Sequence, residues 1–166
     1  MSDQAQDKRQ DTKPIPTGPS PSPESPKGIP KDSTVLVVED NVSNFVLIAR
    51  LLGFLGIHCE WKTSGYEVVE YADTLPRLDL ILLDIRLPYE DGYAALKKIR
   101  LSEKLKGIPI IAVTAEGTQE QMNKAKAAGF NGFIGKPLDP DKFPDQIRRI
   151  FNNESVWEIP FEERGF

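Results

Sequence analysis

Five short strand-like runs, each followed by a segment of helical character, constrain the fold of this chain more than any other feature. They are Thr34 to Val38, Ile57 to Trp61, Asp79 to Leu83, Pro109 to Val113 and Asn131 to Ile134. Thr34 to Val38 and Asp79 to Leu83 read as strands buried on both faces, and the other three runs as further short strands. Between them the period changes. Asn41 is placed to cap a helix in which Val42, Phe45, Val46, Ala49 and Leu52 recur, ending near Gly53 and Gly56. Ser64-Gly-Tyr-Glu67 and Thr118-Gln-Glu-Gln121 are capping boxes for two more helices, the first running to about Asp73 and the second to about Gly129. Asp91-Gly92 introduces a helix over roughly 92–104. Asp139-Pro140 supplies an N-cap and a first-turn proline for the last helix, whose buried face is Phe143, Ile147, Ile150 and Phe151.

Strands alternating with helices predict one parallel sheet with helices on both faces. The expected architecture is α/β, a flavodoxin-like (βα)5 three-layer sandwich. Order 2-1-3-4-5 is the common arrangement for five strands, although periodicity alone leaves the order open. The domain is expected over residues 33–152. Residues 1–32 hold half of the fourteen prolines and almost nothing apolar, as a disordered Pro/Ser-rich tail would. A polyproline docking ligand is the alternative reading. Residues 153–166 form a short C-terminal tail. Its Trp157, Ile159, Phe161 and Phe166 suit either packing back on the domain or docking to a partner.

Bulk properties exclude several classes. The formal net charge of −4 argues against a nucleic-acid surface. One cysteine, Cys59, allows neither an intrachain disulfide nor a thiolate metal cluster. No apolar run is long enough to span a membrane and no signal peptide is evident, so the expected location is cytoplasmic. His58 and Cys59 read as core or edge residues of the second strand.

The chemistry collects at the strand ends. In an open parallel sheet, ligands sit beyond the carboxyl ends of the strands, where the order reverses. Strand one ends in Glu39-Asp40, strand three in Asp84, strand four in Thr114, and strand five just before Lys136. Three converging carboxylates repel one another and call for a hard divalent cation, with Mg²⁺ the best match to an all-oxygen set. Such a site suits phosphoryl chemistry, with a carboxylate as nucleophile. Asp40 and Asp84 would hold the metal, while Lys136 and Thr114 would contact the phosphoryl oxygens.

Val37-Val-Glu-Asp-Asn41, Leu82-Leu-Asp-Ile-Arg-Leu-Pro88, Ala112-Val-Thr-Ala115 and Gly135-Lys-Pro137 resemble the signature segments of response-regulator receiver domains in two-component signalling. The intervals of 44, 30 and 22 residues separating Asp40, Asp84, Thr114 and Lys136 match the family's spacing. The resemblance implies that Asp84 is the phosphoacceptor. It makes Asp40 a direct Mg²⁺ ligand, Glu39 a helper through water, and the Arg86 backbone carbonyl a further ligand. It implies a cis Lys136-Pro137 bond, and a switch in which Thr114 moves and Phe133 turns inward behind it. The output face would be the fourth helix, fifth strand and fifth helix, roughly residues 115–151. Arg86 and Glu116 occupy the positions that tune phosphoryl lifetime, and opposite charge suggests that they pair over the acceptor.

The implied role is a stand-alone signalling switch. A histidine kinase or histidine phosphotransfer protein would be the donor and a protein the target. The fourteen residues after position 152 are too few for a DNA-binding unit. An Mg²⁺-dependent aspartyl-phosphate phosphatase is a rival, but Arg86 stands where that chemistry needs a second aspartate. A flavin or nucleotide binder would meet repulsion from Glu39-Asp40. A degenerate receiver acting only as a binding module would lack site residues that this chain retains.

Overall fold

The computed structural model describes residues 28–160. The expectations for the N-terminal stretch through residue 27, and for Phe161 and Phe166, lie outside those residues. Six strands and five helices alternate. They are β1 (Thr34–Val38), α1 (Val42–Phe54), β2 (His58–Lys62), α2 (Val68–Thr74), β3 (Leu80–Leu83), α3 (Gly92–Leu101), β4 (Ile110–Thr114), α4 (Gln119–Ala128), β5 (Gly132–Gly135), α5 (Phe143–Phe151) and β6 (Trp157–Glu158). The sheet is parallel throughout, in the order β2-β1-β3-β4-β5-β6. The expected 2-1-3-4-5 arrangement is therefore present, and the C-terminal tail extends it by one strand.

Strand side chains alternate between two apolar layers, as the period of two requires. Val35, Val37, Leu80, Leu82, Ile111, Val113 and Ile134 pack with α1 and α5. Leu36, Val38, Ile81, Leu83, Ile110, Ala112 and Phe133 pack with α2, α3 and α4. Both faces of the central strands are thus covered, which is why their sequences are apolar without interruption. Ile29 joins the α1/α5 layer, so packing begins upstream of β1.

Local signals held unevenly. Asn41, Asp91 and Thr118 each accept a backbone N–H three residues on and cap α1, α3 and α4. Gly129 ends α4 with a positive φ of 105°, a conformation glycine adopts without a Cβ clash. Ser64 does not cap α2. Its hydroxyl accepts from Tyr66 N–H in a local turn, and Glu67, at φ 62°, delays the helix to Val68. Asp139-Pro140 likewise opens a turn ahead of α5, which becomes regular only at Phe143. In α1 the buried residues are Ile48, Leu51 and Leu52, while Val42 and Val46 face solvent. The helix is apolar on most of its surface, so spacing alone matched two stripes and could not choose between them.

Candidate functional site

The site arises from strand register. Val38 of β1 pairs with Leu83 of β3, so these strands end level and release Glu39-Asp40 and Asp84 side by side. Thr114, the last residue of β4, pairs with Gly135, which brings Lys136 to the same rim. Lys136 N–H donates to the Thr114 carbonyl at 2.8 Å. The Lys136-Pro137 peptide is cis.

One carboxylate oxygen from each of Glu39, Asp40 and Asp84 lies within 4.8 Å of the others. Glu39 and Asp84 are buried and Asp40 is exposed, so the cluster opens to solvent on one side only. Lys136 Nζ donates to Glu39 Oε2 at 2.5 Å and to Asp84 Oδ2 at 3.0 Å. The second oxygen of Asp84 accepts the Arg86 N–H at 3.0 Å, and Glu39 Oε1 accepts the Asn41 N–H at 3.1 Å.

Burial is the main influence on Asp84 and pushes its carboxyl up to about 6. The Lys136 ammonium and the Arg86 N–H oppose that rise, and the Glu39 charge adds to it. Burial also works against the charge on Lys136, but its bonds to Glu39 and Asp84 outweigh burial and hold the ammonium above its ordinary range. One ammonium against three carboxylates leaves net negative charge in a partly desolvated pocket. An all-oxygen donor set with that deficit fits a hard divalent ion, and Mg²⁺ in particular.

Thr114 is fully buried and its hydroxyl accepts the Glu116 N–H at 3.2 Å. The guanidinium of Arg86 pairs with the carboxylate of Glu116. Both residues line a cleft of ≈ 610 Å³ shared with Asp40, Pro88, Gln121 and Lys124. Phe133 is fully buried on the α4 side of β5. Gly92 N–H donates to the Ile85 carbonyl at 2.8 Å, and a Cβ at Gly92 would come within 2.5 Å of the Asp84 carbonyl oxygen. Only glycine lets α3 start this close to the Asp84 loop.

All the residues marked from the sequence sit on this rim except Phe133, which lies beneath it within β5. Three further residues lie against the site. Trp61 Nε1 donates to the Glu39 carbonyl at 2.8 Å, and its ring stacks on Phe45 at 4.1 Å between centroids. Asn44 Nδ2 reaches Glu39 Oε1 at 3.4 Å. Lys124 enters the cleft from α4. The sequence signal for Trp61 is its place at the end of the Ile57 to Trp61 run, and β2 does end at this rim, where Glu39 N–H donates to Lys62 O.

An open parallel sheet with acids, a hydroxyl and an ammonium gathered over its switch point suits phosphoacceptor chemistry. The response regulator receiver domain model matches residues 35–148, and the chain belongs to that family. It is 36% identical over 116 residues to the signal transduction histidine-protein kinase BarA of Shigella flexneri, covering 70% of this chain and 12% of BarA. It is 33% identical over 133 residues to the probable methanogenesis regulatory protein FilR2 of Methanothrix harundinacea, covering 74% of this chain and 82% of FilR2. The receiver domain of the sensor histidine kinase PA1611 from Pseudomonas aeruginosa PAO1, solved with magnesium in its active-site cleft, matches at a TM-score of 0.65 and 33% identity. That match covers 74% of this chain and 99% of the PA1611 domain. The chain thus spans only a small fraction of the kinases it resembles. It is a receiver domain whose acidic cluster suits an Mg²⁺-dependent phosphoacceptor site. No described helix is long and apolar enough to cross a membrane.

Proposed function

We propose that Asp84 accepts a phosphoryl group from a phosphohistidine on a histidine kinase or a histidine phosphotransfer protein. One Asp84 oxygen bonds to phosphorus as the donor P–N bond breaks, and the electron pair leaves with the imidazole nitrogen. Asp40, Asp84 and the Arg86 carbonyl would hold Mg²⁺, with Glu39 acting through water. The ion's contribution is to neutralise charge on the phosphoryl oxygens. Lys136 pairs with another of those oxygens and Thr114 donates its hydroxyl to a third. The observation that carries this reading is the buried Lys136 ammonium bridging Glu39 and Asp84. That cation is already poised where an anionic group would arrive.

The receiver unit is assigned to residues 33–152, flanked by the two tails. Thr114 and Phe133 are assigned as the moving parts. The face made by α4, β5 and α5 is the assigned contact surface for a protein target. The Arg86–Glu116 ion pair supports a lid role for these two side chains, screening the phosphoryl group from water.

Incubation with Mg²⁺ and a small phosphodonor, followed by intact-mass measurement, tests the assignment. A single stable adduct that disappears in Asp84→Asn is the expected result. An adduct that persists in Asp84→Asn, or repeated turnover of a phosphomonoester, would reject it.

A further inference from the structure

The C-terminal segment from Val156 to Pro160 occupies the face just assigned to output. Val156 is fully buried in the α1/α5 layer, and its carbonyl accepts the Phe133 N–H at 2.8 Å. β6 then straddles two helices. Glu158 faces α5, where Gln146 Nε2 and Arg149 each donate to it at 2.8 Å. Trp157 faces α4, with Lys126 Nζ 4.7 Å from its ring centroid. The next residues reach the switch loops. A Cβ on Gly135 would come within 2.6 Å of Pro160, and one on Gly117 within 3.3 Å of the same ring. Gly117 lies three residues beyond Thr114 and Gly135 one before Lys136.

The pairing has a consequence for Phe133. Phe133 and Trp157 are register partners on adjacent parallel strands, so their side chains stand side by side on the α4 face. A side chain swinging out of β5 over the sheet edge would enter the space that Trp157 fills. We propose that residues 156–160 are a cis ligand of the α4–β5–α5 face, holding Phe133 inward and covering the β5 edge that an incoming protein strand would use. This rests on the reading of Asp84 as phosphoacceptor and of Thr114 and Phe133 as the switch. On that reading an inward Phe133 accompanies the phosphoryl-bound state, so tail docking and occupancy of Asp84 favour each other. Such linkage is reciprocal: loading of the site tightens the strand, and loosening the strand weakens loading.

The test uses the full chain with Mg²⁺ and beryllofluoride, a phosphoryl mimic, and reads amide hydrogen exchange at Phe133 together with the affinity for the mimic. Trp157→Ala and Glu158→Lys are the variants. The first removes the side chain beside Phe133, and the second sets a cation against Arg149; neither residue lies in the acceptor site. The expected result is greater protection of Phe133 N–H on loading in the unaltered chain. Both variants should lose that protection and bind the mimic roughly fivefold or more weakly. Unchanged protection on loading, or variants that load as well as the parent, would overturn the cis-ligand proposal and leave the acceptor reading intact. Failure of the unaltered chain to take up beryllofluoride at all would overturn both.

Discussion

Lys136 Nζ lies 3.0 Å from Asp84 Oδ2 with both side chains buried, and the same ammonium also holds Glu39. A buried ion pair broken from one side leaves uncompensated charge, at a cost of about 3–5 kcal/mol. Lys136→Met should therefore lower the stability of the metal-free protein by an amount of that order. Because the orphaned carboxylates remain a cation site, Mg²⁺ should recover more stability in the variant than in the parent. Urea unfolding with and without Mg²⁺ reads both effects.

Arg86 and Glu116 line the cleft and form an ion pair. Arg86→Ala should speed loss of the phosphoryl group after donor removal. Glu116→Ala should do the same, and the double variant should be no faster than the faster single one, because both remove a single shared contact. Independent effects that multiply would argue against a joint lid.

Gly92 approaches the Asp84 backbone more closely than a Cβ permits. Gly92→Ala should force α3 or the Asp84 loop to shift, costing about 1–3 kcal/mol as other overpacking substitutions do. The signature distinguishing this from a general loss of stability is slower phosphorylation at a temperature where the variant is fully folded.

Leu82 lies 1% exposed in the layer beneath α1 and α5, two residues before Asp84. Leu82→Ala should destabilise the domain by about 2–5 kcal/mol. Chemical denaturation measures this, and the slope against denaturant should be unchanged if the fold is kept.

The Glu158 carboxyl is subject first to burial, which works to raise it, but the bonds from Gln146 and Arg149 win and hold it below the ordinary glutamate range. A depressed value in the docked state means that its contribution to docking is complete above the undocked value. That contribution fades as pH falls through the docked one. Trp157 indole shifts should therefore report loosening of β6 only on acidification below the usual carboxylate range. Glu158→Gln should flatten the response.

Strands were the most legible part of the chain, because β1, β3 and β4 are buried on both faces and leave no polar alternation to mislead. The site followed from them, since level strand ends put Glu39, Asp40, Asp84, Thr114 and Lys136 on one rim. Helix starts were harder. Ser64 has the composition of a cap, yet Glu67 takes a left-handed turn that no spacing rule encodes. β6 was less visible still, because Trp157-Glu158 is too short to show a period. Its docking depends on Gly132, where a Cβ would meet the Val156 carbonyl at 2.7 Å. A lone glycine in a strand hints at close approach of another backbone without saying whose.

Adding β6 changes how the sheet can meet other copies of itself. β5 now has a neighbour on each side, and the new margin is two residues long and runs straight into Pro160, which has no N–H to offer. At the opposite margin, β2 presents His58, Glu60 and Lys62, with His58 and Glu60 joined at 2.8 Å. Neither margin is a good template for an intermolecular ladder. Edge-to-edge pairing of two copies through either margin is therefore disfavoured.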